Sequence, residues 1–104
     1  MAVLYITEFA AQGRDLAGYT LQNGTPRDPT LAEQVIAIGA GSLQSAVLNA
    51  STTIVRIHTD AICSIAVGLA PVATATKRRL AANTTEQLAV APGSGFQIAV
   101  ITNT

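Results

Sequence analysis

An imidazole, a carboxylate and a thiol lie within one short stretch of this chain, at His58, Asp60 and Cys63. Their spacing comes nearest to reactive chemistry. On an extended strand His58 and Asp60 point to one face and Cys63 to the other. A Cys–His couple therefore needs a bend. With one His and one Cys in the whole chain, a four-ligand zinc site cannot be completed within one copy. The expectation is that Cys63 fills core space as a small apolar residue. His58 is expected to be hydrogen-bonded at a strand edge or interface. Arg56 shares the face of His58 and Asp60, and the three make a polar patch between strands or between subunits.

A second constellation mimics a dinucleotide-binding unit. Val35-Ile36-Ala37-Ile38 reads as a buried strand, Gly39-x-Gly41 follows, and Leu43, Ala46, Val47 and Ala50 recur at helical spacing with Ser42 as N-cap. Asp60 then falls about twenty residues past the glycines, where a ribose hydroxyl is bound in such units. Three features oppose it. The third glycine position is Gln44, where close helix–strand packing needs Gly or Ala. The helical run is too short for a crossover. The rest of the chain offers strands, not the helices that cover a parallel sheet. The glycines are read instead as a hairpin turn between two strands.

The remaining chemistry is thin. Lys77-Arg78-Arg79 is the basic run, suited to an acidic surface or a phosphate backbone. Asn23, Asn49 and Asn83 each begin an acceptor pattern for glycosylation, which an Asn- and Thr-rich chain produces by chance. Glu33 and Glu86 are distant and lack the context of paired hydrolytic carboxylates. No residue is assigned a catalytic, metal-binding or cofactor-binding role, and no cofactor is expected.

The elements that would position these residues are short strands. Val3–Thr7 is the first. Residues 8–30 carry Gly13, Gly18, Asn23-Gly24, Pro26 and Pro29 and read as an extended loop or arm, with a short strand at Tyr19–Gln22. Leu31–Ile38, Thr53–Thr59, Ala61–Val67, Lys77–Ala82, Gln87–Ala91 and Phe96–Thr102 follow, and Leu43–Leu48 is ambiguous. Val55 and Ile57 alternate with Arg56 and His58, the period of a half-buried strand. Pro92-Gly93-Ser94-Gly95 turns the last two strands. The fold class is all-β, a β-sandwich or jelly-roll-like barrel of short antiparallel strands in one domain over residues 1–104.

Composition bounds the function. In 104 residues, 12% are charged and 49% hydrophobic, with zero net formal charge. A soluble domain usually carries about 25% charged residues. Zero net charge opposes general nucleic-acid binding, which needs a broad basic surface. The aromatics are Tyr5, Phe9, Tyr19 and Phe96, with no Trp, so the core must be aliphatic. Such a chain is expected to bury apolar surface against other chains. One cysteine excludes an internal disulfide. The opening residues lack a signal-peptide pattern, and no membrane span is expected. A cytoplasm is the expected site of synthesis.

The chain resembles small virion proteins of tailed bacteriophages. The parts that carry the resemblance are Met1–Phe9, Leu31-Ala32-Glu33-Gln34 leading to Ile38–Ser42, the run Val55–Ala66, Arg79–Asn83 with Glu86, and Pro92-Gly93 through Ile98–Ile101. The resemblance implies a structural part of the virion, a capsid decoration (cement) protein that forms homotrimers on the head surface and contacts the major capsid protein. A head–tail connector or tail component is the alternative within the class, and a small-ligand or nucleotide-binding module the alternative outside it. The candidates for intersubunit or capsid contact are Arg56, His58, Asp60, Lys77, Arg78 and Arg79.

Overall fold

Alternation of apolar and polar residues fixes which way each strand faces. In β1 (Val3–Phe9) the even positions Leu4, Ile6 and Glu8 are buried. In β4 (Ile54–Thr59) the odd positions Val55, Ile57 and Thr59 are buried. These rows face one interior because neighbouring antiparallel residues share a face. The other strands are β2 (Ala32–Ala37), β3 (Leu43–Gln44), β5 (Cys63–Gly68), β6 (Arg78–Leu80), β7 (Thr84–Ala89) and β8 (Gln97–Thr102). The coordinates are a computed structural model, and the structure describes residues 2–13, 16–17 and 25–104. The strand expected at Tyr19–Gln22 lies outside the described residues.

Two four-stranded antiparallel sheets pack face to face, one in the order β2-β1-β4-β7 and the other β3-β8-β5-β6. The fold is a β-sandwich, and the sheets do not close into a barrel. No described residue is helical. Between the sheets lies an aliphatic core that includes Leu4, Ile6, Ile36, Leu48, Val55, Ile57, Ile65, Leu80, Ile98 and Val100. Cys63 is packed into it and Phe96 lies at its margin. Phe9 is buried outside that core, on the opposite face of its sheet.

Most connections pass from one sheet to the other. Gly39–Ser42 carries the chain from β2 to β3, which lie in different sheets. The expected hairpin is thus corrected to a crossing between layers. Pro92–Gly95 makes a similar crossing from β7 to β8, with Gly93 and Gly95 both at φ 73, where a side chain is strained. Asn83, at φ 59, turns β6 into β7; Asn tolerates this region better than most residues.

The long connection, from β1 to β2, stays within one sheet. It starts later than the sequence suggests, because Glu8 and Phe9 belong to β1. At its base Gln12 pairs with Pro26, the Gly13 amide donates to the Thr25 carbonyl at 2.7 Å, and the Arg27 amide donates to the Ala11 carbonyl at 2.8 Å. The arm therefore begins as an antiparallel ribbon. β7 also departs from expectation, beginning at Thr84 and not Gln87.

One end of the sandwich is closed by residues 45–52, held by a buried carboxylate. Glu8 is 1% exposed. Its Oε1 accepts the Asn49 amide at 2.7 Å and the Thr52 hydroxyl at 2.8 Å, and its Oε2 accepts the Gln34 side-chain amide at 3.1 Å. Gln34 Oε1 in turn accepts the Ala46 amide at 2.9 Å. Among the described residues every buried side-chain polar atom has a partner. Replacing Glu8 by Ala leaves the buried Thr52 hydroxyl and the part-buried Asn49 and Gln34 donors without their acceptor. The expected cost is roughly 2–4 kcal/mol in urea unfolding, since each unsatisfied buried group costs about 1–3 kcal/mol. A loss below about 0.5 kcal/mol would show that the segment 45–52 is held by other contacts.

Candidate functional site

β4 presents Arg56 and His58 outward while Val55 and Ile57 point into the core. The register sets their neighbours. Arg56 stands between Thr7 on β1 and Gln87 on β7, and His58 between Tyr5 and Thr85. His58 Nδ1 and Thr85 Oγ1 share a hydrogen bond of 2.8 Å. The Tyr5 ring lies 6.1 Å from the imidazole, tilted by 41°. The Arg56 guanidinium sits 5.5 Å from the centroid of the Phe9 ring, within cation–π range. This outer face is a shallow polar–aromatic surface continued by exposed Val35, which faces Tyr5 across β1 and β2.

Asp60 is brought close to this group but is given a different task. It follows β4, and its Oδ1 accepts the Val3 amide at 2.8 Å, which fixes the start of β1. The basic run is not held together. Lys77 lies in a turn. Arg78 pairs with core residue Ile65 and therefore faces the inside of its sheet, at the open edge. Arg79 pairs with Ser64 on the other face, and its Nε donates to the main-chain oxygen of Thr104 at 3.2 Å. Adjacent residues on a strand point to opposite faces, so three consecutive cations cannot form one patch here.

Cys63 opens β5, in the sheet opposite His58. It is fully buried, and its Sγ donates to Thr59 Oγ1 at 3.6 Å. Burial pushes its pKa above the ordinary value, the Thr59 hydrogen bond opposes that, and the nearby Asp60 carboxylate adds to it. Among the described residues no three His, Cys, Asp or Glu side chains gather as metal ligands. Ser42 caps no helix; its hydroxyl accepts the Ala73 amide at 2.9 Å.

A groove of about 560 Å³ runs between the edges of the two sheets, lined by Val67, Arg78, Glu86, Gln87, Leu88, Ala89 and Val90. It exists because β6 is only three residues long and pairs with β5 from Cys63 to Ile65. Beyond that point β5 has no β6 neighbour, and Val67 stays partly exposed opposite β7. A second hollow of about 200 Å³, lined by Gln12, Ile54, Gln87, Leu88 and Ala89, lies at the same strand.

Sequence reasoning missed Glu8 and the β7 groove. The signal for Glu8 is its place in the row Leu4, Ile6, Glu8, where a core residue is due. Against known proteins, no protein-family model, no curated protein and no solved structure matches this chain.

The Cys63 environment has measurable consequences. Cys63→Ala is expected to fold normally and to lose at most about 1–2 kcal/mol. In the native protein the thiol should resist a disulfide reagent at pH 8 and react once urea unfolds the chain. Because the folded pKa is raised, unfolding releases protons as the pH passes the thiol's ordinary value of 9.0. That contribution to stability is complete below pH 9 and is lost as the pH rises toward the folded value. The Ala variant should lack this share of the alkaline slope. Rapid labelling of the native thiol at pH 8 would contradict the burial argument.

Proposed function

We propose that this chain is a structural assembly protein of the bacteriophage virion, a capsid decoration (cement) protein that oligomerises on the head surface and stabilises the shell by contact with the major capsid protein. It acts by surface contact and not by catalysis. The stoichiometry that goes with this reading is a homotrimer, and the location is the outer surface of the capsid. The outer face of the first sheet, with Arg56 and His58, is the proposed intersubunit or capsid contact.

The observation that carries the reading is the apolar surface. Large apolar side chains stand in solvent on β2, β3 and the segments that follow β3 and β5, with Val35 61%, Leu69 71% and Val72 62% exposed. In a chain with 12% charged residues there is little ionic surface to offset them. A monomer that leaves such groups in water gains from burying them against another chain, at ~25 cal/mol per Å² of apolar area.

Strand order supports the same class. Renumbered from β2 with β1 placed last, the two sheets read 1-8-3-6 and 2-7-4-5. That matches the order expected of a jelly roll, a double-sheet architecture found in capsid and lectin domains. The long β1–β2 connection then spans the place where such a roll would have its ends. Fold alone does not assign function, so the reading rests first on the exposed surface. The competing nucleotide-binding reading has little support, since Gly39–Ser42 leads into a two-residue strand and not into a helix.

Sedimentation at micromolar concentration tests the assembly. The expected result is a discrete oligomer, a trimer on this reading, whose melting temperature rises with protein concentration, as mass action requires when a melting oligomer dissociates. A monodisperse monomer with a concentration-independent melting temperature would refute it. Mixing with shells that lack a surface protein should give saturable binding and a higher shell melting temperature.

A further inference from the structure

We infer that β7 is a docking edge for a second copy of this chain, joined antiparallel, β7 to β7, about a two-fold axis through Gln87. The inference deepens the assembly reading by naming one of its contacts. It is separate from the contact proposed on the outer face.

The backbone sets the geometry. The Val90 amide donates to the Thr53 carbonyl at 3.0 Å. Bonding alternates along an antiparallel ladder, so the even residues of β7 bond to β4. Thr85, Gln87 and Ala89 then turn their N–H and C=O groups away from the sheet. Among the described residues, no strand pairs with that side of β7.

The edge is also lightly guarded, with the inward Glu86 as its one charge. Proteins protect exposed edges with short strands, Lys, Pro or bulges. The second sheet follows this rule, with edge strands of two and three residues. β7 is six residues long, TTEQLA, with no Lys and no Pro. Its outward row, Thr85, Gln87 and Ala89, carries no charge. β2 also has a free side, but there the outward row includes Glu33. Only β7 borders the groove of about 560 Å³, where Val67, Leu88 and Val90 are incompletely covered.

The edge is self-complementary. With Gln87 facing Gln87 of the second copy, Thr85 faces Ala89 in both directions, and all three outward residues find backbone partners. On the inner face Glu86 stands opposite Leu88 of the second copy, so no carboxylate directly faces another; the two Glu86 side chains lie on one diagonal, beside the Arg78 that lines the same groove. The two Leu88 side chains lie on a diagonal, about 7–8 Å apart and within contact range of long side chains. They extend the apolar floor of each groove toward the other. Arg78 lines the same groove as Glu86 and supplies the opposite charge. An isologous contact of this kind uses one patch twice and closes on itself. A strand pair alone is smaller than the ~800 Å² per partner of a standard interface, so the contact is reversible.

Single cysteines in a Cys63→Ser background test the register. Thr85→Cys, Gln87→Cys and Ala89→Cys are prepared and treated with a short bifunctional maleimide at high micromolar concentration. Gln87→Cys should give a covalent dimer at least tenfold faster than the other two. Residues 85 and 89 each lie about 13 Å from their own copies, four strand steps away. A second arm uses Gln87→Pro, which removes an N–H that no intrachain bond uses. Gln87→Lys, a guard on the edge, covers the case in which the proline variant misfolds. Either should weaken the β7 contact at least tenfold, read as loss of dimer in sedimentation at high micromolar concentration; Ala40→Lys, in the exposed connection between β2 and β3, should not.

Equal cross-linking at all three positions, or faster linking at 85 or 89, overturns the register. No linking at 87, or a dimer that survives the position 87 variants, overturns the β7 contact. An oligomer in sedimentation without linking at 87 would leave the assembly reading standing and remove this one. Linking at 87 in a chain that otherwise sediments as protomer and binds no shell would do the reverse.

Discussion

A buried carboxylate must collect its hydrogen bonds from wherever the chain can bring donors, and that requirement at Glu8 organises one end of this sandwich. The side chain lies between the sheets, where the desolvation cost is large unless donors replace water. Asn49 and Thr52 come from the crossing segment and Gln34 from β2. Two stretches distant in sequence are thereby fixed to the end of β1. Hydrogen bonds to a charged group contribute about 1.5–3 kcal/mol each, but only while the whole set is satisfied. Loss of one member leaves the others unpaired.

The same segment is held to the second sheet. The Ser45 amide donates to the Ile98 carbonyl at 2.8 Å, Ser45 Oγ accepts the Ile98 amide at 3.0 Å, and the Leu48 amide donates to the Phe96 carbonyl at 2.9 Å. Residues 45–52 are thus anchored to β8 on one side and to β1 on the other, with Leu48 buried between. The crossing acts as a clamp between layers. It replaces what a larger aromatic core would otherwise supply, because Ile, Leu and Val bury less area each than Phe or Trp. Among the described residues, the opposite margin along β7 and the short β6 has no such closure. The molecule is well tied at one end and open along one side.

Much of this was legible in the sequence, and the failures have physical reasons. The alternation in Val55–Thr59 identified a half-buried strand and its faces, and Cys63 was readable as core because β-branched and small apolar neighbours surround it. Period two also separates Arg78 from Arg79, and Lys77 lies in the turn before them, so the cluster in sequence carried no spatial information. Glu8 was hidden by its own type: a carboxylate ends an apolar pattern on paper, and only the tertiary donors explain its burial. The start of β7 was missed because Thr84-Thr85-Glu86-Gln87 is polar on both faces. An edge strand beside an open groove needs less apolar content than a central one, so its backbone pairing to β4 is what defines it. Gly39–Ser42 has the composition of a turn in either a hairpin or a crossing, and composition alone does not distinguish them.

Openness on one side and scarcity of charge belong together. Net charge keeps surfaces apart, and exposed edges are ordinarily guarded by Lys or by truncation. Here the edges of the second sheet are cut short, while β7 runs six residues with the inward Glu86 as its one charge, and the overall charge is zero. A chain selected to remain a solitary monomer gains nothing from that combination, since an unpaired six-residue edge is an aggregation hazard. A chain that works by meeting its own copies gains a contact whose register is set by backbone polarity and whose specificity comes from the groove beside it. The inward Glu86 limits what can be added at that edge, because a strand with a carboxylate directly opposite would place two like charges within one groove. On the inferred β7 contact, the edge would favour a strand that sets an apolar residue opposite Glu86.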